Sequence, residues 1–111
     1  MRNFPSIKKS DDFRPVYRKG KSCANSCLVM YVLFTSMDFS RIGISASKKI
    51  GNSIVRHRVT RVLRECFRLN VRKLKPGYDI VVVVRQPAAK LGYEEMSHAF
   101  MDLCSRQGIL V

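Results

Sequence analysis

Apolar positions along the chain follow two different periods, and the switches between them mark out the elements. Phe13, Val16 and Tyr17 recur at helical spacing, which predicts a short helix over Lys8 to Lys19. Ser10 is suited to its N-cap, and Asp11 and Asp12 suit the positive end of its dipole. Pro15 fits only near the start of such a helix, and Gly20 ends it. Ser22 to Asn25 reads as a short strand, and the continuous apolar run Cys27 to Thr35 as a buried one. After a turn at Met37 to Ser40, Arg41 to Ser47 alternates. Ile42, Ile44 and Ala46 point one way; Gly43, Ser45 and Ser47 point the other.

Lys48 to Ser53 is a loop ending in good capping residues, and Ile54 to about Lys73 carries the longest helical pattern. Pro76-Gly77 stops it. Tyr78 to Arg85 is a second buried strand, broken by Gln86-Pro87. Tyr93 to Cys104 is a last helix with Met96, Ala99, Phe100, Leu103 and Cys104 on its apolar face. The order α-β-β-β-α-β-α predicts an α/β protein of the two-layer α+β kind: a mixed four-stranded sheet with helices mainly on one face. No repeat or linker divides it, so residues 1–111 read as a single domain.

On the long helix, stepping about 100° per residue from Val55 gathers Val59, Val62, Leu63, Cys66 and Leu69 into an apolar stripe expected to pack on the sheet. His57, Arg61, Arg64, Arg68 and Arg72 fall on the far side, and Arg56 and Arg58 flank the stripe. Glu65 is the sole acid of the helix. Like charges four residues apart repel, so Arg64, Arg68 and Arg72 in series point to a partner that supplies the counter-charge. Arginine's planar fork suits phosphate. Lys48 and Lys49 lie beside the helix's opening turn, which favours anions.

Charge over the whole chain sharpens this. There are 21 Lys and Arg against 8 Asp and Glu, a formal net charge of +13 on 111 residues. Such a body repels itself and attracts polyanions, nucleic acid before membrane. The longest apolar run, Leu28 to Phe34, is far too short to span a bilayer. The opening residues Met1 to Pro5 lack the apolar core of a secretory signal, so a cytoplasmic location with reduced cysteines is expected. Cys23, Cys27, Cys66 and Cys104 read as small hydrophobes rather than a zinc site.

Phe13, Tyr17 and Tyr31, interleaved with basic residues, suit stacking on single-stranded nucleic acid, although packing in the core accounts for them equally well on pattern alone. No paired-carboxylate cluster, P-loop, H-E-x-x-H or nucleophile elbow is present. We therefore expect no catalytic residue and no metal site on the protein itself. A structural RNA-binding protein and an independent ribonuclease are the rival readings.

The stretch RIGISASKKIGNSIVRHRVTRVLRECFR, Arg41 to Arg68, resembles the signature of the bacterial ribonuclease P protein family: a strand ending S-x-K-K, a Gly-Asn loop, then R-N-R-x-x-R-x-x-R on a helix. Lys48, Lys49, Gly51, Asn52, Arg56, Arg58, Arg61 and Arg64 match it. DDFRPVYRKGKSCAN and YDIVVVVRQPAAKLGYEE extend the likeness over nearly the whole chain. His57 departs from the pattern's Asn, and Ser6 stands where members often carry a basic residue.

The resemblance implies a left-handed βαβ crossover and a role as the non-catalytic protein subunit of an RNA-based endoribonuclease. The partners implied are one catalytic RNA per protein and precursor tRNA, with Mg²⁺ held mainly by the RNA and substrate and no membrane involved. Lys48, Lys49, Asn52, Arg56, His57, Arg58, Arg61, Arg64 and Arg68 would contact the catalytic RNA. Phe13, Tyr17, Tyr31, Ser45 and Ser47 would line a cleft for the 5′ leader.

Overall fold

The β-branched and aromatic runs form strands, and the two periodic segments that flank them form the longer helices. The computed structural model describes residues 6–8 and 10–111; Met1 to Pro5 and Lys9 lie outside the described residues. The elements are α1 (Ser10–Lys19), β1 (Lys21–Ala24), β2 (Leu28–Phe34), β3 (Arg41–Ser45), α2 (Ser53–Asn70), β4 (Tyr78–Val84) and α3 (Tyr93–Arg106). Short 3₁₀ turns follow α2 (Val71–Lys73) and β4 (Gln86–Lys90). The expected element order and mixed sheet are both present. The strand order is β1-β2-β4-β3, with β1, β2 and β4 antiparallel in turn and β3 parallel to β4. Since α2 connects β3 to its neighbour β4, these three elements form a βαβ unit.

Alternation along the strands divides the core. Leu28, Met30 and Val32 of β2, Ile42 of β3, and Ile80, Val82 and Val84 of β4 face α2 and α3. There they meet Val59, Leu63, Phe67, Met96, Phe100 and Leu103 in the main core. On the opposite face Val81 packs with Ile7 and Val16, and with Phe13, Tyr31, Leu33 and Val83 around them. Two helices therefore share one face, as the pattern predicts, while α1 forms a partial third layer on the other.

Helix α1 runs through Pro15, its sixth residue. A proline there removes a helical hydrogen bond, and the helix holds because Phe13 and Val16 are packed on the sheet. Its seat depends on Gly43: a Cβ at this position would lie 2.8 Å from Phe13 Cζ and 2.9 Å from Ile7 Cβ. Gly20 ends α1 as expected. Its N–H donates to Val16 O at 2.8 Å, where a Cβ would lie 2.3 Å from the same oxygen.

Three expectations need correction. Leu69 does not pack on the sheet but is 52% exposed, whereas Phe67 is buried at 1%. With Val59, Leu63, Cys66 and Asn70 the buried side of α2 is turned roughly 60° from the direction centred on Val55. The cause is tertiary: α3 and Leu74 roof the Phe67 side of the helix, in one cluster with it. Second, Arg72 leaves the cationic row, because α2 ends at Asn70 and Arg72 lies in the 3₁₀ turn. Third, β3 stops at Ser45, so Ser47 lies beyond the strand; its Oγ accepts from Lys49 N at 3.3 Å and shapes the turn that follows.

Cys66 and Cys104 are buried hydrophobes, and burial pushes their thiols up to about 11 and about 12. Cys23 and Cys27 are only half-buried at the edge of the same core.

Candidate nucleic-acid interface

Helix α2 begins where Asn52, in extended conformation, accepts from Val55 N through Oδ1 at 3.0 Å. This N-cap fixes the direction of the helix and of its cations. Lys48 and Lys49 are exposed in the turn just before it, and His57, Arg61, Arg64 and Arg68 are exposed along it. Not every arginine of the motif is free. Arg58 is half-buried and its guanidinium donates to Ala89 O and to Leu91 O, the latter at 3.2 Å. It therefore clamps the turn after β4. Arg56 donates through Nε to Gly51 O at 3.2 Å, bracing the loop that enters α2.

Arg68 is not left without counter-charge, as the missing acid four residues before it suggested. Glu65, three residues before, receives its Nε at 3.0 Å and its Nη2 at 2.5 Å. The Arg68 hydrogen bond holds the Glu65 carboxyl below the usual carboxylate range, and the same interaction raises Arg68. That leaves Arg61 and Arg64 as the exposed α2 cations for which no acid lies within ion-pair distance among the described residues, with the exposed His57 imidazole beside them on the same face.

On the opposite face of the sheet, α1 and β2 bring three rings together. Phe13 and Tyr17 are stacked, 6.2 Å between centroids and 26° between planes. Tyr17 meets Tyr31 edge-on at 5.0 Å and 88°. Tyr17 is 39% exposed, and Phe13 and Tyr31 are half-buried. Core packing and an open stacking surface are therefore both present in part, since the rings pack on one another and still present an edge to solvent.

Helix α1 buries Val81, and the next row is packed against the same cluster only at Val83, which stays half-buried. Strand register aligns Ala24, Val29, Val83 and Ser45 across the four strands on this face. These side chains are small or β-branched and none is fully buried, so they form the floor of an open trough beside the rings. Ser45 belongs to this floor; Ser47 does not. Ala24, Val29 and Val83 have no signal in the sequence, because continuous apolar strands conceal which residues a helix will leave uncovered.

The far side of α1 is tied down electrostatically. Arg41 on β3 donates to both carboxylate oxygens of buried Asp79 on β4, at 2.9 and 2.6 Å, and Asp12 of α1 lies 3.9 Å from the same guanidinium. The hydrogen bond to Asp79 raises the Arg41 pKa against the opposing effect of burial. Thirty-eight residues separate the pair, and no local spacing announces it. The trough and the cationic helix are joined directly: only three positions separate Ser45 on the floor from Lys48 in the loop that leads into α2.

Comparison with known proteins gives one consistent result. The family model for ribonuclease P matches residues 1–108. The ribonuclease P protein component of Clostridioides difficile is 44% identical over 106 residues, covering 95% of this chain and 93% of that protein. The component from Lachnoclostridium phytofermentans is 47% identical over 105 residues, with 95% and 90% covered. Among solved structures, the RNase P protein of Staphylococcus aureus superposes with a TM-score of 0.88 at 32% identity, covering 98% of this chain and all of that one. That of Thermotoga maritima gives 0.85 at 28% identity, with 93% and 97% covered.

Proposed function

The chain belongs to the ribonuclease P protein family, and from that premise we propose that it is the protein subunit of a ribonucleoprotein that removes the 5′ leader of precursor tRNA. One protein pairs with one catalytic RNA in the cytoplasm. Lys48, Lys49, His57, Arg61 and Arg64 meet the phosphates of that RNA, with Arg68 joining when it leaves Glu65. Asn52, Arg56 and Arg58 act one step back, holding the loop and helix that present them. The leader crosses the trough, stacking on the Phe13, Tyr17 and Tyr31 edge and passing closely over Val29, Val83 and Ser45.

The observation that carries this reading is that one strongly basic body has two different anion-friendly surfaces on opposite faces of its sheet. One is a row of exposed cations, and the other an aromatic edge beside half-buried and exposed strand residues. A protein that merely coats RNA has no use for the second. Holding catalytic RNA and precursor together means overcoming the mutual repulsion of two polyanions, to which neutralised phosphates contribute through counterion release. Stacking then adds a sequence-tolerant grip on the leader.

The cleavage chemistry resides on the RNA, with Mg²⁺ bound by RNA and substrate. Among the described residues no three of His, Cys, Asp and Glu gather in a way that would hold a metal, and the buried carboxylate, Asp79, is engaged by Arg41. No described helix is long and apolar enough to cross a membrane.

The test uses the particle reconstituted with its catalytic RNA. Precursor with a leader should bind more tightly than mature tRNA. Tyr17→Ala should weaken the precursor about fivefold to a hundredfold, the effect of losing one stacked base, and leave mature tRNA unchanged. Equal affinity of the wild-type particle for both RNAs overturns the proposal.

A further inference from the structure

The turned helix leaves an apolar spot on the cationic side of the molecule. Leu69 is 52% exposed and Tyr93, the first residue of α3, is 37% exposed. With Val62, Arg61 and Glu65 they line an open trough of about 520 Å³. That volume lies within the usual range of small-molecule clefts, about 300–1,000 Å³. Single exposed hydrophobes need no explanation. Here an aliphatic and an aromatic side chain converge between α2 and α3, at the edge of a row of arginines.

Charge decides what suits the trough. Arg61 lines it and also lines the neighbouring surface of His57, Thr60, Arg64 and Glu65. Arg61 therefore stands on the ridge between the cationic row and the apolar floor. Glu65 lines both surfaces too, and its carboxylate is engaged by Arg68. An apolar peptide would find such a rim indifferent, and a second copy of this +13 chain would be repelled by it. A nucleotide presents a phosphate to the ridge and an apolar, stackable base to the floor.

Resting on the assembly reading above, we infer that the Tyr93–Leu69–Val62 trough receives one unpaired base of the catalytic RNA, stacked against Tyr93 while Arg61 holds its phosphate. The site lies on the opposite face of the sheet from the leader trough and acts in assembly. It gives the α2 face a shape-dependent grip, which a row of mobile arginines lacks.

The experiment compares wild-type protein with Tyr93→Ala, Tyr93→Phe and Leu69→Gln for affinity to the catalytic RNA across a salt titration. Chemical probing of the RNA in each complex accompanies it. Both positions are exposed, so thermal melts of the free variants should match wild type. Tyr93→Ala should weaken assembly about tenfold at every salt concentration, with an unchanged slope because every cation stays on its phosphate. One nucleotide should become reactive in that complex and stay protected with Tyr93→Phe. Leu69→Gln should weaken assembly severalfold.

If wild-type protein fails to bind the RNA, the assembly reading itself falls. If wild type binds and Tyr93→Ala binds equally well with the same probing pattern, only this inference is overturned. It is overturned equally if Tyr93→Ala instead abolishes a self-association of the protein measured without RNA.

Discussion

Along α2 the cations stand on an exposed helix, and Arg61 and Arg64 are free to swing toward whatever phosphate is near. Under α1 the rings of Phe13, Tyr17 and Tyr31 are held against one another, and Gly43 leaves no room for even a methyl group beneath Phe13. In the proposed complex the first surface would work by number and position of charge, with an energy that falls steeply with salt. The second works by fixed shape, and its energy should follow the fold's rigidity. The two can be damaged separately, and that separation is what the predictions probe.

The largest effect is expected at the support of the shaped surface. Asp79→Ala leaves the Arg41 guanidinium with Asp12 alone, 3.9 Å away. Breaking a buried pair on one side costs about 3–5 kcal/mol, and Arg41 retains enough exposure to water to bring that to roughly 2–3 kcal/mol. For a domain of this size the melting temperature should drop on the order of 10 °C. The salt slope of catalytic-RNA binding should stay put, because no α2 cation is touched. An unchanged melting curve would mean that the Arg41–Asp79 pair does not anchor the α1 face.

Removing charge should give the converse. Arg61→Ala combined with Arg64→Ala should flatten the dependence of log affinity on log salt by about two units, roughly 0.9 for each phosphate no longer neutralised. At low salt the affinity should fall tenfold or more, since each arginine–phosphate pair contributes about 1 kcal/mol or more. Both side chains are exposed, so stability should move by no more than about 0.5 kcal/mol. If Tyr17→Ala produced the same flattening, the distinction between the surfaces would collapse.

What the sequence disclosed divides along similar lines. The arginines of α2 were readable because a helix face is a local property, fixed by angles between near neighbours. The β4 run and the three rings were readable for the same reason. Which rings meet, and which strand residues stay uncovered beneath α1, depends on the pairing of β2, β4 and β3 and has no local signature. Leu69 shows the limit most clearly. Its spacing from Val55, Val62 and Cys66 suits the core, yet the core lies on the Phe67 side because α3 packs there. Arg58 is similar: it reads as one more motif cation, while its Nη1 and Nη2 each donate to a carbonyl more than 30 residues away. The sequence pattern names the residues of the proposed interface; it does not divide those left open to solvent from those whose donors hold neighbouring backbone.

Glu65 tests this division on the cationic side itself. It is the sole acid of α2, and its paired hydrogen bonds hold Arg68 along the helix, away from any partner. Exposed pairs of this kind contribute little to stability, so Glu65→Gln should leave the melting temperature nearly unchanged. It should nevertheless tighten catalytic-RNA binding severalfold and steepen the salt slope by up to about one unit, because Arg68 becomes available to phosphate. Acid should imitate the substitution only at low pH. The Arg68 hydrogen bond depresses the Glu65 pKa, so the pair persists above the unfolded-state value and is lost only as pH falls through the lower folded-state one. A glutamate without this partner would lose its charge at about pH 4.3. A gain in affinity with Glu65→Gln at neutral pH would show that the family's arginine row is partly restrained in this chain. No gain, with an unchanged slope, would show that Arg68 already leaves Glu65 for phosphate on binding, or stands outside the interface altogether; Arg68→Ala separates these, flattening the slope by about one unit only in the first case.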